Sequence, residues 1–237
     1  RRTQPHRRLR RVDHTAAAGE FSPSPPGTEH ATIVGMTLRV TGAPFGLATS
    51  AGRRRGHNED AALAGPDWYV VADGVGGHAA GDVASRLAVE EFAQLAGRPS
   101  ADPDEIHACF RRTARRLRTV DDAGRTAGTT VAGVGVAAYD GAEYWLVFNI
   151  GDSRVYRLAG GVLEQISVDH SEVQELIDAG TVTRAQAAHH PRRHVVTRAI
   201  GAAGGIDVDY WLLPVSRGDR MLVCSDGLTG ELSDHDV

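Results

Sequence analysis

The order of hydrophobic patterns along the chain predicts an α+β fold in which antiparallel sheets carry helices packed on their outside. Three observations lead there. Strand-like segments come first, a pair of amphipathic helical stretches follows, and residues 129–224 then return to strand after strand with only short helical breaks. A doubly wound parallel sheet would instead alternate strand and helix throughout.

Each element has its own reason. Residues 1–35 mix six arginines with a Pro/Ser segment and show no hydrophobic period, so they are expected to be a disordered basic tail. The folded domain is expected to span residues 36–237, with Met36 standing where a natural start would fall. Residues 38–50 alternate as a strand does, and Trp68 to Ala72 is a continuous apolar run ending on acid. Residues 79–96 place Val83, Leu87, Val89 and Phe92 at helical spacing. Asp102-Pro103 opens a second helix with Ile106, Phe110, Ala114 and Leu117 on one face. Its arginines (Arg111, Arg112, Arg115, Arg116, Arg118) are expected to form a solvated outer face. Strands are expected at 129–139, 143–150, 154–158, 162–168, 208–213 and 220–224, with short helices at 171–179 and 183–188 around Gly180. Trp68, Trp145 and Trp211 fall within strands and are expected to pack in the core.

Composition narrows the function. All 26 basic residues among the 237 are arginine, which excludes P-loop nucleotidases, protein kinases and Schiff-base or pyridoxal enzymes, because each needs a lysine. The net charge is −4; the tail carries +3, so the rest of the chain carries −7. An acidic body argues against nucleic-acid binding, which needs a basic surface. No apolar run is long enough to cross a membrane, and no apolar segment follows the arginines as in a secretory signal. Cys109 and Cys224 lie far apart without a C-x-x-C pattern, which excludes a disulfide scaffold or zinc ribbon and suits a reducing cytoplasm.

Three acidic clusters are expected where a strand gives way to a glycine-containing turn, Asn58-Glu59-Asp60, Asp73-Gly74-Val75-Gly76-Gly77 and Ser225-Asp226-Gly227, and a fourth, Gly151-Asp152-Ser153-Arg154, follows an apolar run. An acid directly after a buried strand projects from the sheet end, and a following Gly lets the backbone turn so that a carbonyl faces the same place. One Asp-Gly is only a turn signal. Several brought together make an oxygen-lined cage for hard cations such as Mg²⁺ or Mn²⁺, and paired metals lower the pKa of a bridging water towards neutrality.

Six ordered motifs carry a resemblance: Arg55-Gly-His-Asn-Glu-Asp60, Ala72-Asp-Gly-Val-Gly-Gly77 with Gly81, Gly128-Thr-Thr130, Asn149-Ile-Gly-Asp-Ser-Arg154, Asp169-His-Ser171 and Cys224-Ser-Asp-Gly227. From about residue 40 onward the chain resembles the metal-dependent serine/threonine protein phosphatases of the type-2C group, and their compact bacterial members most of all. The resemblance implies a central antiparallel β-sandwich flanked by α-helices. It also implies hydrolysis of phosphoserine and phosphothreonine in proteins by a metal-bridging hydroxide.

Carried onto this sequence, it implies that Asp73 bridges two Mn²⁺ or Mg²⁺ ions. Glu59 and the Gly74 carbonyl would hold one of them directly or through water, and Asp60 would act through a water. Asp226 would ligate the other ion and, with Asp152, a third and weaker one. Arg55 would clamp the substrate phosphate, a role suited to a planar bidentate donor. The segment His189-His190-Pro-Arg-Arg-His194 would lie in a flap beside the site, where Arg192 and Arg193 would contact phosphopeptide. Asp169-His170-Ser171 reads as a turn and helix cap, since three adjacent residues cannot point at one another as a triad. The expected partners are phosphoproteins and the kinases that make them, and a monomer is expected.

Two departures from the family pattern stand out. Val75 occupies a place where many relatives carry a histidine proposed as general acid. The chain stops at Val237, where the family continues to a final Asp-Asn pair whose Asp is a ligand, so the last strand is expected to be missing too. This motivates an alternative, a phosphatase-like module that binds phosphoprotein without turnover. A two-metal nuclease or small-molecule phosphoesterase would fit the carboxylates but calls for a basic binding surface that the acidic body lacks.

Overall fold

The computed structural model describes residues 8–9, 44–52, 56–65, 67–76, 80–98, 100–120, 127–202, 205–233 and 236. Two antiparallel sheets lie at its centre. The larger runs in the order β1 (Arg8–Leu9), β9 (Asp209–Pro214), β6 (Ala142–Ile150), β5 (Val131–Tyr139), β3 (Trp68–Val75) and β2 (Asp60–Ala64), with β4 (Gly128–Thr129) pairing the end of β3. The smaller runs β10 (Arg220–Cys224), β7 (Arg154–Ala159), β8 (Val162–Gln165). The helices are α1 (Gly81–Ala93), α2 (Pro103–Val120), α3 (Glu172–Asp178), α4 (Arg184–Ala187) and α5 (Asp226–Thr229).

The two-residue period of β6 divides the core. Leu146, Phe148 and Ile150 face the cluster beneath α1 and α2, while Trp145 and Val147 face the cluster shared with the smaller sheet. The result is helix pair, large sheet, small sheet. Phe148 stacks on Phe92 with ring centroids 5.3 Å apart and meets Phe110 edge-on at 6.0 Å, so the sheet and both helices share one aromatic cluster. Gly133 sits opposite Phe148, and a Cβ there would enter the Phe148 ring. All three tryptophans are buried as expected.

Several expectations need correction. Residues 44–50 have no regular structure, and 38–43 lie outside the described residues. Within the tail, Arg8–Leu9 pairs antiparallel with Tyr210 and Trp211 on the outer edge of β9. Asp60 opens a strand, β2, rather than following one, because its run of small residues pairs along the apolar stretch of β3. The arginines of α2 are not uniformly solvated. Arg112 and Arg116 reach across to α1, where both bind Glu91 (2.6 and 2.9 Å) and Arg116 also binds Glu90 at 2.6 Å. Burial opposes ionisation of Glu91, but the hydrogen bonds from Arg112 and Arg116 win and hold its carboxyl below the usual range.

Candidate metal centre

The ends of β2, β3 and β6 and the start of α5 bring the acidic motifs together. Asp60 and Asp73 are paired in register across β2 and β3. Asp73 is only 8% exposed, and its backbone is clamped to the Gly128-Thr129-Thr130 segment. Thr130 N–H and the Thr129 hydroxyl donate to the Asp73 carbonyl (2.9 and 3.0 Å), and the Asp73 N–H donates to Thr130 Oγ1 (3.2 Å). These three hydrogen bonds fix the Asp73 backbone from which the carboxyl projects.

Glu59 is held from two sides. Its carbonyl accepts from Gly74 N–H (3.1 Å) and from the Ser85 hydroxyl on α1 (2.6 Å). Gly74 and Gly81 pack backbone to backbone, so a Cβ on Gly74 would collide with the Gly81 carbonyl. A Cβ on Gly81 would come within 3.3 Å of Glu59 Oε1, so both glycines keep the Glu59 carboxylate and the Gly74 carbonyl in one small space. Asp60 Oδ2 accepts from the Ser225 hydroxyl at 2.8 Å, tying β2 to the start of α5 and leaving Ser225 without a side-chain cap on its own helix.

Asp152 follows the sharp turn at Gly151, where φ is +112° and a Cβ would strike the Thr130 side chain. The turn is gripped by His170, whose backbone N–H donates to Gly151 O (2.8 Å) and whose Nδ1 accepts from Gly151 N–H (3.1 Å). With Nδ1 accepting, Nε2 carries the proton and donates to Asp209 Oδ2 at 3.1 Å. Ser153 and Thr130 join hydroxyls at 2.8 Å, so the Asp152 turn and the Asp73 clamp share a residue. Arg154 forks onto Asp169 (2.9 and 2.7 Å). Ser171 caps α3, as expected of the Asp-His-Ser turn.

The electrostatics record crowded negative charge. Burial, then the charges of Asp60, Asp226 and Asp152, push Asp73 up to about 9, and a hydrogen bond to Asp226 adds to the shift. Burial, then Asp226 and Asp169, push Asp152 up to about 7 against the pull of Arg154. Among the described residues no three His, Cys, Asp or Glu side chains are drawn to ligand spacing. The carboxyls stand close enough to repel one another when ionised, and Asp73 shares a hydrogen bond with Asp226. Their donors are all oxygen, one buried, with a backbone carbonyl kept close by the Gly74–Gly81 contact, and this set fits a hard cation such as Mg²⁺ or Mn²⁺.

Beside these acids lies a cleft of about 640 Å³ lined by residues that include Asp152, Asp226, Arg154, His189, Arg193 and His194. His194 Nδ1 is 3.8 Å from Asp226 Oδ2. Arg192 turns away from it and pairs with Glu172 at 2.6 Å, so of the two flap arginines expected at phosphopeptide, Arg193 is the one in the cleft wall. Arg55 lies outside the described residues. The Ser225, Ser85, His170 and Asp209 contacts were missed from sequence because each joins residues far apart in the chain, with no local spacing to mark them.

Comparisons with known proteins agree with this arrangement. The family model described as Protein phosphatase 2C matches residues 49–237. The serine/threonine phosphatase stp of Listeria monocytogenes is 37% identical over 191 residues, covering 76% of each chain. PstP of Mycobacterium tuberculosis is 34% identical over 207 residues, 81% of this chain and 38% of that longer one. The solved PstP/Ppp structure from Mycobacterium tuberculosis superposes with a TM-score of 0.72 at 35% identity, covering 80% of each chain. A PstP catalytic domain described in complex with two manganese ions superposes at 0.68, with 32% identity and 79% of each chain covered. With the family match spanning most of the folded part and the acidic motifs gathered at one end of the sheets, the chain belongs to the protein phosphatase 2C family.

Proposed function

We propose that this chain hydrolyses phosphoserine and phosphothreonine in proteins, using two Mn²⁺ or Mg²⁺ ions at the carboxylate centre. The observation that carries the reading is Asp73: a buried carboxyl in register with Asp60 and beside Asp226 is a costly arrangement that bound cations would relieve. When bound, the ions supply a hydrolytic nucleophile at neutral pH and neutralise charge on the phosphoryl oxygens.

The protein's part is to hold and to position. Asp73 is assigned to both ions, Glu59 and the Gly74 carbonyl to one, and Asp226 to the other. Asp60, anchored by Ser225, acts through water. Asp152 joins Asp226 in a third, weaker site. Arg55 is assigned to the substrate phosphate and Arg193 to the peptide flanking it in the cleft. The substrates are phosphoproteins, the opposing enzymes serine/threonine kinases, and the working form a monomer in a reducing cytoplasm. No helix among the described residues is long and apolar enough to cross a membrane.

The test is phosphate release from a phosphothreonine peptide with Mn²⁺, beside a phosphodiester substrate and the Asp73→Ala variant. Release from the peptide alone, lost in the variant, supports the reading. Peptide binding without turnover would replace it with the binding module, and diester cleavage with the nuclease.

A further inference from the structure

Away from the carboxylates, α2 forms one wall of a second cleft, of about 780 Å³. Arg111, Arg115 and Arg118 lie along that wall at spacings of four and three residues, on one face of the helix. Arg112 also lines the cleft but is bound to Glu91. The other three are exposed and make no ion pair with a described residue. Among the described residues no carboxylate lines the cleft. In a body that carries −7 outside its tail, this is a local concentration of cations.

Both walls are built rigidly. Another face of α2 buries Phe110 and Leu117 in the core. On the facing side Ala199, Gly201 and Ala202 flank Ile200, which is pinned by its two-way pairing with Thr129 (3.0 and 2.9 Å). Gly201 has φ +92° and packs so that a Cβ would strike the Ala127 carbonyl. The arginines therefore face a preformed concavity of a size that small ligands use, roughly 300–1,000 Å³.

We propose that this cleft binds a small anion carrying a chain of phosphoryl groups. Guanidinium forks match phosphate oxygens, and the three arginines span about 10 Å of helix, more than one phosphate can bridge. Among the described residues the far wall is Ala199, Gly201, Ala202, Gly205 and Ile206, a mostly small-residue surface unlike the pockets that hold the large side-chain anchors of a docked peptide. The proposal does not depend on the phosphatase reading, because none of these residues belongs to the carboxylate centre.

The test is calorimetric titration of the full chain with inorganic tripolyphosphate in EDTA, so that no cation at the acidic centre attracts the anion. One ion should bind per chain, more weakly as salt rises. Arg111→Glu with Arg115→Glu should weaken binding on the order of a hundredfold, about tenfold per lost charged contact, with Tm unchanged. Should that pair lower Tm, Arg118→Gln alone should cost about tenfold. Charge reversal at Arg10 and Arg11 in the tail should change nothing. Absent binding, binding lost with the tail variant instead, or equal affinity for orthophosphate or a hexaglutamate peptide would overturn the proposal.

Discussion

Asp60 and Asp73 face each other as Cα partners across β2 and β3, which sets two carboxylates opposite on one face of an antiparallel pair. Like charges in that relationship destabilise a sheet, by roughly 0.2–1 kcal/mol where solvent screens them. Here one of the two is buried, so the repulsion is screened less. Stability has been given up where a cation would restore it.

Removing the ionisable carboxyl, which the fold must keep protonated, should therefore stabilise the metal-free chain while disabling it. Asp73→Asn is expected to raise the unfolding free energy in EDTA by about 1 kcal/mol. The same variant should lose phosphate release with Mn²⁺. Urea unfolding in EDTA, read beside the activity, checks both halves. A variant less stable than the parent would mean that Asp73 serves packing rather than charge.

The pH dependence of the metal-free fold follows in sign. Asp73 ionises near its ordinary 3.8 when unfolded and at about 9 when folded. Its raised value gives stability that is complete below the unfolded pKa and lost as pH rises towards 9. Asp152 acts in the same direction up to about 7. Tm in EDTA should fall from about pH 5 to about pH 8 by a few degrees or more, since 1 kcal/mol moves a chain of this size by roughly 2–4 °C. Mn²⁺ should raise Tm more at the higher pH. Scanning calorimetry at both values decides it.

Ser225→Ala removes the hydroxyl that holds Asp60 from the start of α5. The expected loss is about 10–100-fold in metal affinity, with a stability cost of roughly 0.5–1.5 kcal/mol. Manganese titration against thermal unfolding separates the two effects.

Glu91→Ala should weaken the fold without touching the site. It leaves Arg112 and Arg116 without their shared buried acceptor. Both arginines are about a third exposed and regain water, so the cost should be roughly 1–3 kcal/mol, below that of a fully buried pair. Denaturant unfolding should show it, with metal affinity unchanged.

Most elements could be read from the sequence, and the reasons differ by region. The two helices and the strands from β5 to β10 announce themselves through period, because one face of each is buried: Ile106, Phe110 and Leu117 on α2, Leu146, Phe148 and Ile150 on β6. β2 was missed because Asp-Ala-Ala-Leu-Ala has no large alternating side chains and becomes a strand only by pairing with β3. The four-residue α5 was missed because Asp-Gly reads as a turn. At the site, Asp73, Asp152 and Asp226 could be named because each sits by a glycine, and Glu59 and Asp60 through the resemblance, while their supports could not. Ser225 reaches Asp60 across 165 residues and Thr130 reaches Ser153 across 23. Arg192 and Arg193 are adjacent in sequence, and only the turn of the flap decides that one pairs with Glu172 while the other lines the cleft.

The most direct test of the metal centre is a calorimetric Mn²⁺ titration in which turnover of a phosphothreonine peptide is followed in the same samples. Two tight ions per chain, turnover rising as the second site fills, and the loss of both in Asp73→Asn are the predicted result. Turnover that is already complete without added metal in EDTA, or that survives Asp73→Asn at full rate, would contradict it.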